Sequence, residues 1–148
     1  MIDVQNSKMV IMLRPQLKNN GAFANNIYVD TLNFRHLRVL FLVGDTDTTI
    51  GSTGATSAVK LEECDTSGGS YSDISGGALA DAIADDEDNS LFAIDVELTD
   101  KKRFVRVNAP TAGNGATGAN LAVLGILSNP DISPSDATGQ GLTEWIKV

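Results

Sequence analysis

The chain has 148 residues, of which 42% are hydrophobic, 5% aromatic and 20% charged, with a formal charge of −8 at pH 7. That length suits one domain able to bury a core without metal or disulfide, and the single cysteine, Cys64, excludes an intramolecular disulfide. The acidic balance argues against the basic face that nucleic-acid binding requires, and the longest apolar runs fall far short of a membrane span.

Taken in chain order, Met9-Val10-Ile11-Met12-Leu13 is a short apolar run before Pro15, fitted to a strand or an extended arm. Lys18 to Asn26 is rich in Asn, Gly and Ala and reads as loop, and Ile27 to Asp30 as a short strand. Arg35 to Val43 is the first strong strand. Leu37, Val39, Phe41 and Val43 share one face by period two, and Leu40 and Leu42 on the other suggest cover on both sides. Ser57 to Cys64 places Val59 and Leu61 inward, and a Ser/Gly turn from Asp65 to Ser70 leads to a return strand at Tyr71 to Ile74.

Gly76 to Asn89 reads as a short helix around Leu79 to Ala84 or as an acidic surface loop. Leu91 to Thr99 alternates cleanly, with Phe92, Ile94, Val96 and Leu98 on one face. Asp100-Lys101-Lys102 turns the chain and Arg103 to Asn108 returns it, which predicts a hairpin with a solvated basic tip. Ala119 to Leu127, stopped by Asn129-Pro130, reads as a buried strand because Gly125 interrupts any helix. The tail from Ser133 to Val148 is polar up to Leu142-Thr143-Glu144-Trp145-Ile146. Frequent turns and period-two patterning predict an all-β fold, an antiparallel β-sandwich or jelly-roll-like module with at most one short helix. The expected organisation is an N-terminal extended arm over 1–26, a β-sandwich core over 27–130 and a C-terminal tail over 131–148.

The chemistry-bearing patterns are few. Gly113-Asn114-Gly115-Ala116-Thr117-Gly118 matches G-x-G-x-x-G, a phosphate cradle when it opens a helix in a βαβ unit. Pro130 and Pro134 stand where the second strand of such a unit should lie, so an inter-strand loop is expected instead. The Asp45/Asp47 pair and the run Asp85-Asp86-Glu87-Asp88 lack the Gly and Glu spacing of a calcium loop, and are expected to be solvated surface. His36 is the only histidine and stands in a strand between Arg35 and Leu37. Cys64 is flanked by Glu63 and Asp65, whose negative field opposes thiolate formation. One Cys and one His supply neither a zinc site nor a catalytic triad, so no enzyme activity and no cofactor are expected.

The phrases Ile27-Tyr28-Val29-Asp30-Thr31-Leu32-Asn33-Phe34, Leu40-Phe41-Leu42-Val43-Gly44-Asp45-Thr46-Asp47 and Val59-Lys60-Leu61-Glu62-Glu63-Cys64-Asp65 come in that order. They are followed by Tyr71-Ser72-Asp73-Ile74, Phe92-Ala93-Ile94-Asp95, Lys102-Arg103-Phe104-Val105-Arg106-Val107 and Ala122-Val123-Leu124-Gly125-Ile126-Leu127. From Ile27 to Pro130 the chain thus resembles small tailed-bacteriophage structural proteins that decorate or cement the head. The resemblance implies a β-sandwich on the outer capsid, often a trimer at three-fold positions, and no catalytic residues. The expected partner is the major capsid protein, and the expected location is the virion surface after synthesis in a host cytoplasm.

The expected function is therefore a virion structural protein that binds and stabilises a capsid lattice. The alternative is a carbohydrate- or Ca²⁺-binding β-sandwich of a phage tail or receptor-binding protein, for which exposed aromatics or an ordered acidic cluster would be the mark. The expected contact residues are Met9, Val10, Ile11, Met12 and Leu13 of the arm and Trp145 and Ile146 of the tail, since apolar ends suit exchange between subunits. On that reading, deleting Met1 to Leu13 weakens capsid binding more than it weakens folding.

Overall fold

Period-two alternation runs through most of the chain and places it in two layers. The computed structural model describes residues 6–24, 27–52 and 58–146. Among them are ten strands and no α-helix. One layer has the order β1-β10-β4-β7, built from β1 (Lys8–Lys18), β10 (Ala119–Pro130), β4 (Phe34–Thr46) and β7 (Leu91–Glu97). The other has the order β3-β8-β5-β6, from β3 (Tyr28–Asp30), β8 (Phe104–Val107), β5 (Lys60–Cys64) and β6 (Ser72–Ala78). All the pairings are antiparallel. A two-stranded ribbon of β2 (Gly21–Ala22) and β9 (Thr111–Ala112) lies beside them. The protein is an all-β sandwich.

The core is where the inward-facing positions of both layers meet. Leu37, Val39, Phe41 and Val43 of β4 alternate into it, as do Leu121, Val123 and Leu127 of β10. Val59, Leu61, Val105 and Val107 meet them from the second layer. At Gly125 an added Cβ would come within 2.8 Å of the Met12 Sδ, so the glycine makes room for that side chain. Phe23, Ile50 and Ile83 are fully or almost fully buried. Ile50 and Ile83 hold each other by reciprocal backbone bonds of 2.9 and 3.0 Å.

Two expectations need correction, and one open alternative is resolved. The Leu91–Thr99 and Arg103–Asn108 runs do not pair as a hairpin. β7 joins β4, whereas β8 joins β3 and β5, so the chain crosses between layers at Asp100 to Lys102. Each run has an apolar face to bury, and crossing lets the two faces oppose each other across the core. The corner is held by Glu63, whose carboxylate accepts the Lys102 N–H at 2.9 Å, and by Thr31, whose N–H donates to the Arg103 carbonyl. The stretch Leu79 to Ala84 forms no helix, because the bridge to Ile50 pins Ile83 in extended backbone.

The 1–26 segment is not a free arm in its described part. β1 is an integral strand with Met12 and Leu13 at 0% exposure, and it runs on through Pro15, which an edge strand tolerates. Residues 1–5, 25–26 and 53–57, where the start of the β5 run and the boundary at Asn26 were expected, lie outside the described residues, as do 147–148.

Candidate functional site

The outward face of the β1-β10-β4-β7 layer should be polar if it simply meets water. It is not. Reading across the register, Ile11, Leu124, Leu40 and Ala93 form one row, and Ala122, Leu42 and Leu91 the next. Ile11 is 54% exposed, Leu42 39% and Leu91 67%. The four strands at about 4.8 Å spacing and the seven paired residues of β7 at about 3.4 Å rise give a face of about 450 Å² in plane, of which these two apolar rows take up about half. An exposed apolar patch rimmed by polar residues is the mark of an interaction site.

Charge marks one side of the patch. The next row is Met9, Ile126, Arg38 and Asp95, and beyond it stand Ser128, His36 and Glu97. Arg38 donates both Nε and Nη2 to Asp95, at 2.7 and 2.9 Å, which holds the Asp95 carboxyl below the usual carboxylate range. His36 Nδ1 lies 2.9 Å from Glu97, and the Thr99 hydroxyl donates to Glu97 at 2.7 Å, lowering that carboxyl as well. These side chains border a depression with Asn6, Ser7 and Pro130. All are exposed, so the ion pairs contribute little to folding. Their effect is to leave Arg38 and Asp95, which border the patch, neutralised within the same chain.

The expected contact residues divide. Ile11 and Met9 lie on the apolar face, Val10 turns toward the core, and Met12 and Leu13 are inside it, where they can touch no partner. Trp145 is half-buried and Ile146 is 73% exposed. The tail reaches β1, because the Met9 N–H donates to the Gln140 carbonyl at 2.8 Å. The start of the tail, at Gln140, therefore lies against the first of the predicted arm residues. Leu40, Leu42, Leu91, Leu124 and Ile126 were not anticipated as a surface. Their signal was present as apolar residues on both faces of β4 and β10, which sequence alone does not distinguish from a strand covered on both sides.

The glycine-rich loop has its amides already engaged. Asp47 accepts the Thr117 and Gly118 N–H groups, both at 2.7 Å, and the Thr117 hydroxyl at 2.9 Å. Asn19 accepts the Gly115 N–H and donates to the Gly115 carbonyl, both at 2.9 Å. A carboxylate thus stands where a phosphate would bind, and the loop leads into β10 rather than into a helix. The Thr117 and Gly118 amides keep the Asp47 carboxyl below its ordinary range. Asp88 likewise caps the Thr46 N–H at 2.7 Å. Two of the acidic side chains thus hold loops. Among the described residues no three His, Cys, Asp or Glu side chains gather as a metal-binding group. Cys64 is buried, far from the outward His36 of the other layer's β4.

The second layer carries a smaller cluster on its outer face. Tyr28 meets Phe104 edge-on at 5.3 Å, and Arg106 sits 4.0 Å over the Tyr71 ring while binding Glu62. Arg103 lies 5.1 Å over Phe104 and is paired with Asp30. A ring face of both Tyr71 and Phe104 is thus occupied by a guanidinium of the same chain. No protein-family model matches the chain, and comparison with curated proteins gives no match.

Proposed function

We propose that the protein is a virion structural protein that docks on the outer surface of an assembled capsid lattice and stabilises it. The observation that carries this reading is the outward apolar face of the β1-β10-β4-β7 layer in a chain of net charge −8. A soluble acidic protein gains nothing from Leu42 and Leu91 in water, whereas docking buries them. The resemblance in element order to head-decorating phage proteins gives the occupant of the face, the major capsid protein. The protein works by contact, with no catalytic step.

The patch also sets the strength of the contact. A face of about 450 Å² is smaller than the roughly 800 Å² per partner of a standard stable interface. One copy alone therefore holds weakly. Several copies acting together, on a lattice that repeats the binding site, multiply the affinity through effective concentration. Homo-oligomerisation is thus part of the proposal. The test is to purify particles on a density gradient and measure the ratio of this polypeptide to capsid protein. Near-stoichiometric travel with full heads supports the reading, and its absence from every particle fraction refutes it.

A carbohydrate-binding β-sandwich is the second reading, favoured by Tyr28, which is 42% exposed beside Phe104. It requires ring faces open to a sugar. Binding on a glycan array that disappears in Tyr28→Ala would support it over capsid docking.

A further inference from the structure

A two-layer sandwich has four edge strands, and an edge left open offers its backbone to any strand that meets it. Here the edges are β1 and β7 of one layer and β3 and β6 of the other. Three of them carry devices against pairing. β1 contains Pro15, Lys8, Arg14 and Lys18, breaks register twice, and is capped at Met9 by the Gln140 carbonyl. β3 is three residues long. β6 has Gly76 at a φ of 75° and a register break against β5. β7 has only the charges of Asp95 and Glu97, which face Arg38 and His36 of the same chain. Its seven residues run in unbroken register with β4, without Pro, Gly, Lys or bulge.

The hydrogen-bond phase shows which groups β7 leaves open. The Val43 N–H donates to the Ser90 carbonyl at 3.0 Å, and the Leu98 N–H donates to the Arg35 carbonyl at 2.8 Å. Alternation between those two points turns the backbone of Phe92, Ile94 and Val96 toward β4. The N–H and C=O groups of Leu91, Ala93, Asp95 and Glu97 therefore point away from the sheet, and their side chains are exposed. No second strand pairs with them among the described residues, although β6 of the other layer comes near β7.

We infer that β7 is a self-pairing edge, and that two copies of this chain join β7 to β7 antiparallel to make one continuous eight-stranded sheet. Self-complementarity selects the occupant. With Leu91 opposite Glu97 of the second copy and Ala93 opposite its Asp95, all the open groups of the four residues pair. No like charges stand directly opposite, and Ile94 meets Ile94 on the inner side. Asp95 and Glu97 already hold Arg38 and His36 of their own chain, so two acidic strands approach with their charges partly answered. The two-fold axis at Ile94 leaves both outward faces on the same side of the joined sheet, with each copy's Leu91 beside the other copy's Glu97. The association is isologous and closes at two copies, not at the three implied by the resemblance.

The test is sedimentation equilibrium of the free protein over a concentration series, so its failure leaves the capsid reading untouched. The expected mass is twice 15.6 kDa. Ala93→Asp places like charges opposite each other at two symmetric positions and should weaken the dimer by about tenfold, whereas Ala93→Lys, facing Asp95, should not weaken it. Ala93→Pro removes an outward N–H that β4 does not use, and should give monomer with a preserved β-sheet spectrum. A wild-type monomer at all concentrations, a trimer, or a dimer indifferent to Ala93→Asp would each overturn the inference. Should the proline variant fail to fold, the Asp and Lys pair still decides it.

Discussion

The docking proposal makes its sharpest demand at Leu91. Replace it with alanine and two quantities should separate. The side chain is 67% exposed in the free protein, so folding gains little from it and stability should change by no more than about 0.5 kcal/mol. Full burial of a leucine is worth about 1.5–3 kcal/mol. Two-thirds of that remains to be gained on docking, or about 1–2 kcal/mol per copy, which is about a 5- to 30-fold loss of affinity per contact. Leu37→Ala is the control. Leu37 is 1% exposed and packs in the core, so its truncation should destabilise by about 2–5 kcal/mol, lowering Tm by roughly 5–20 °C. The assay pairs thermal melts followed by circular dichroism with titration of each variant onto heads that lack the protein. Leu91→Ala should melt with the wild type and bind worse. If its occupancy curve lies on the wild-type curve while its melt is unchanged, the face is not the docking surface and the reasoning fails.

Deleting residues 1–13 should abolish the cooperative melt, contrary to the sequence-based expectation, because it removes Met12 and Leu13 from the core. Each is worth about 2–5 kcal/mol against a total of about 5–15 kcal/mol, and a retained sharp transition would refute β1's place in the sheet. Gly115→Ala should lower stability by about 1–3 kcal/mol, since its Cβ would fall 2.1 Å from Asp47 Oδ1. In an Asp47→Gly background the same change should cost less, since only the residue 47 backbone carbonyl, at 2.8 Å, then stands in the way, and fully additive losses in thermal melts would show that the two side chains do not touch. Stability should also fall in acid. The carboxyls of Asp30, Asp47, Asp95 and Glu97 are held below their ordinary range by Arg103, the Thr117 and Gly118 amides, Arg38 and Thr99 respectively. A depressed folded value means that the unfolded chain takes up protons first. The contribution is present in full above the unfolded values near pH 4 and is lost as pH falls through the folded ones. Denaturant titrations between about pH 6 and 2 should show the decline confined to the acid end, and a Tm that is flat across that range would refute it.

The aliphatic strands were legible because their pattern is local. Leu37, Val39, Phe41 and Val43 declare a strand and its inner face wherever their partners lie, and Val59 with Leu61 do the same. Ala119 to Leu127 was legible as a strand for the same reason, its Gly125 leaving room for Met12 of the neighbouring strand β1. The candidate site was only half legible. Leu40 and Leu42 announced a second apolar face, but covered and uncovered faces have the same composition, so the reading of two-sided cover was the natural error. The G-x-G-x-x-G string was legible as an inter-strand loop, but not its partner, because Asp47 lies 66 residues before Gly113 and is brought near only by the fold.

The sequence by itself determined the class of fold, the inner face of most strands and the scarcity of groups fit for catalysis. These follow from side-chain period and residue type, which act over a few neighbours. Tertiary structure alone decided that β7 pairs with β4 and not with β8, that β1 completes a sheet, and that one layer's outer face stays apolar and open. Pairing of this kind is a choice among distant strands with equivalent local patterns. It is settled by which arrangement brings the inner faces together over one core.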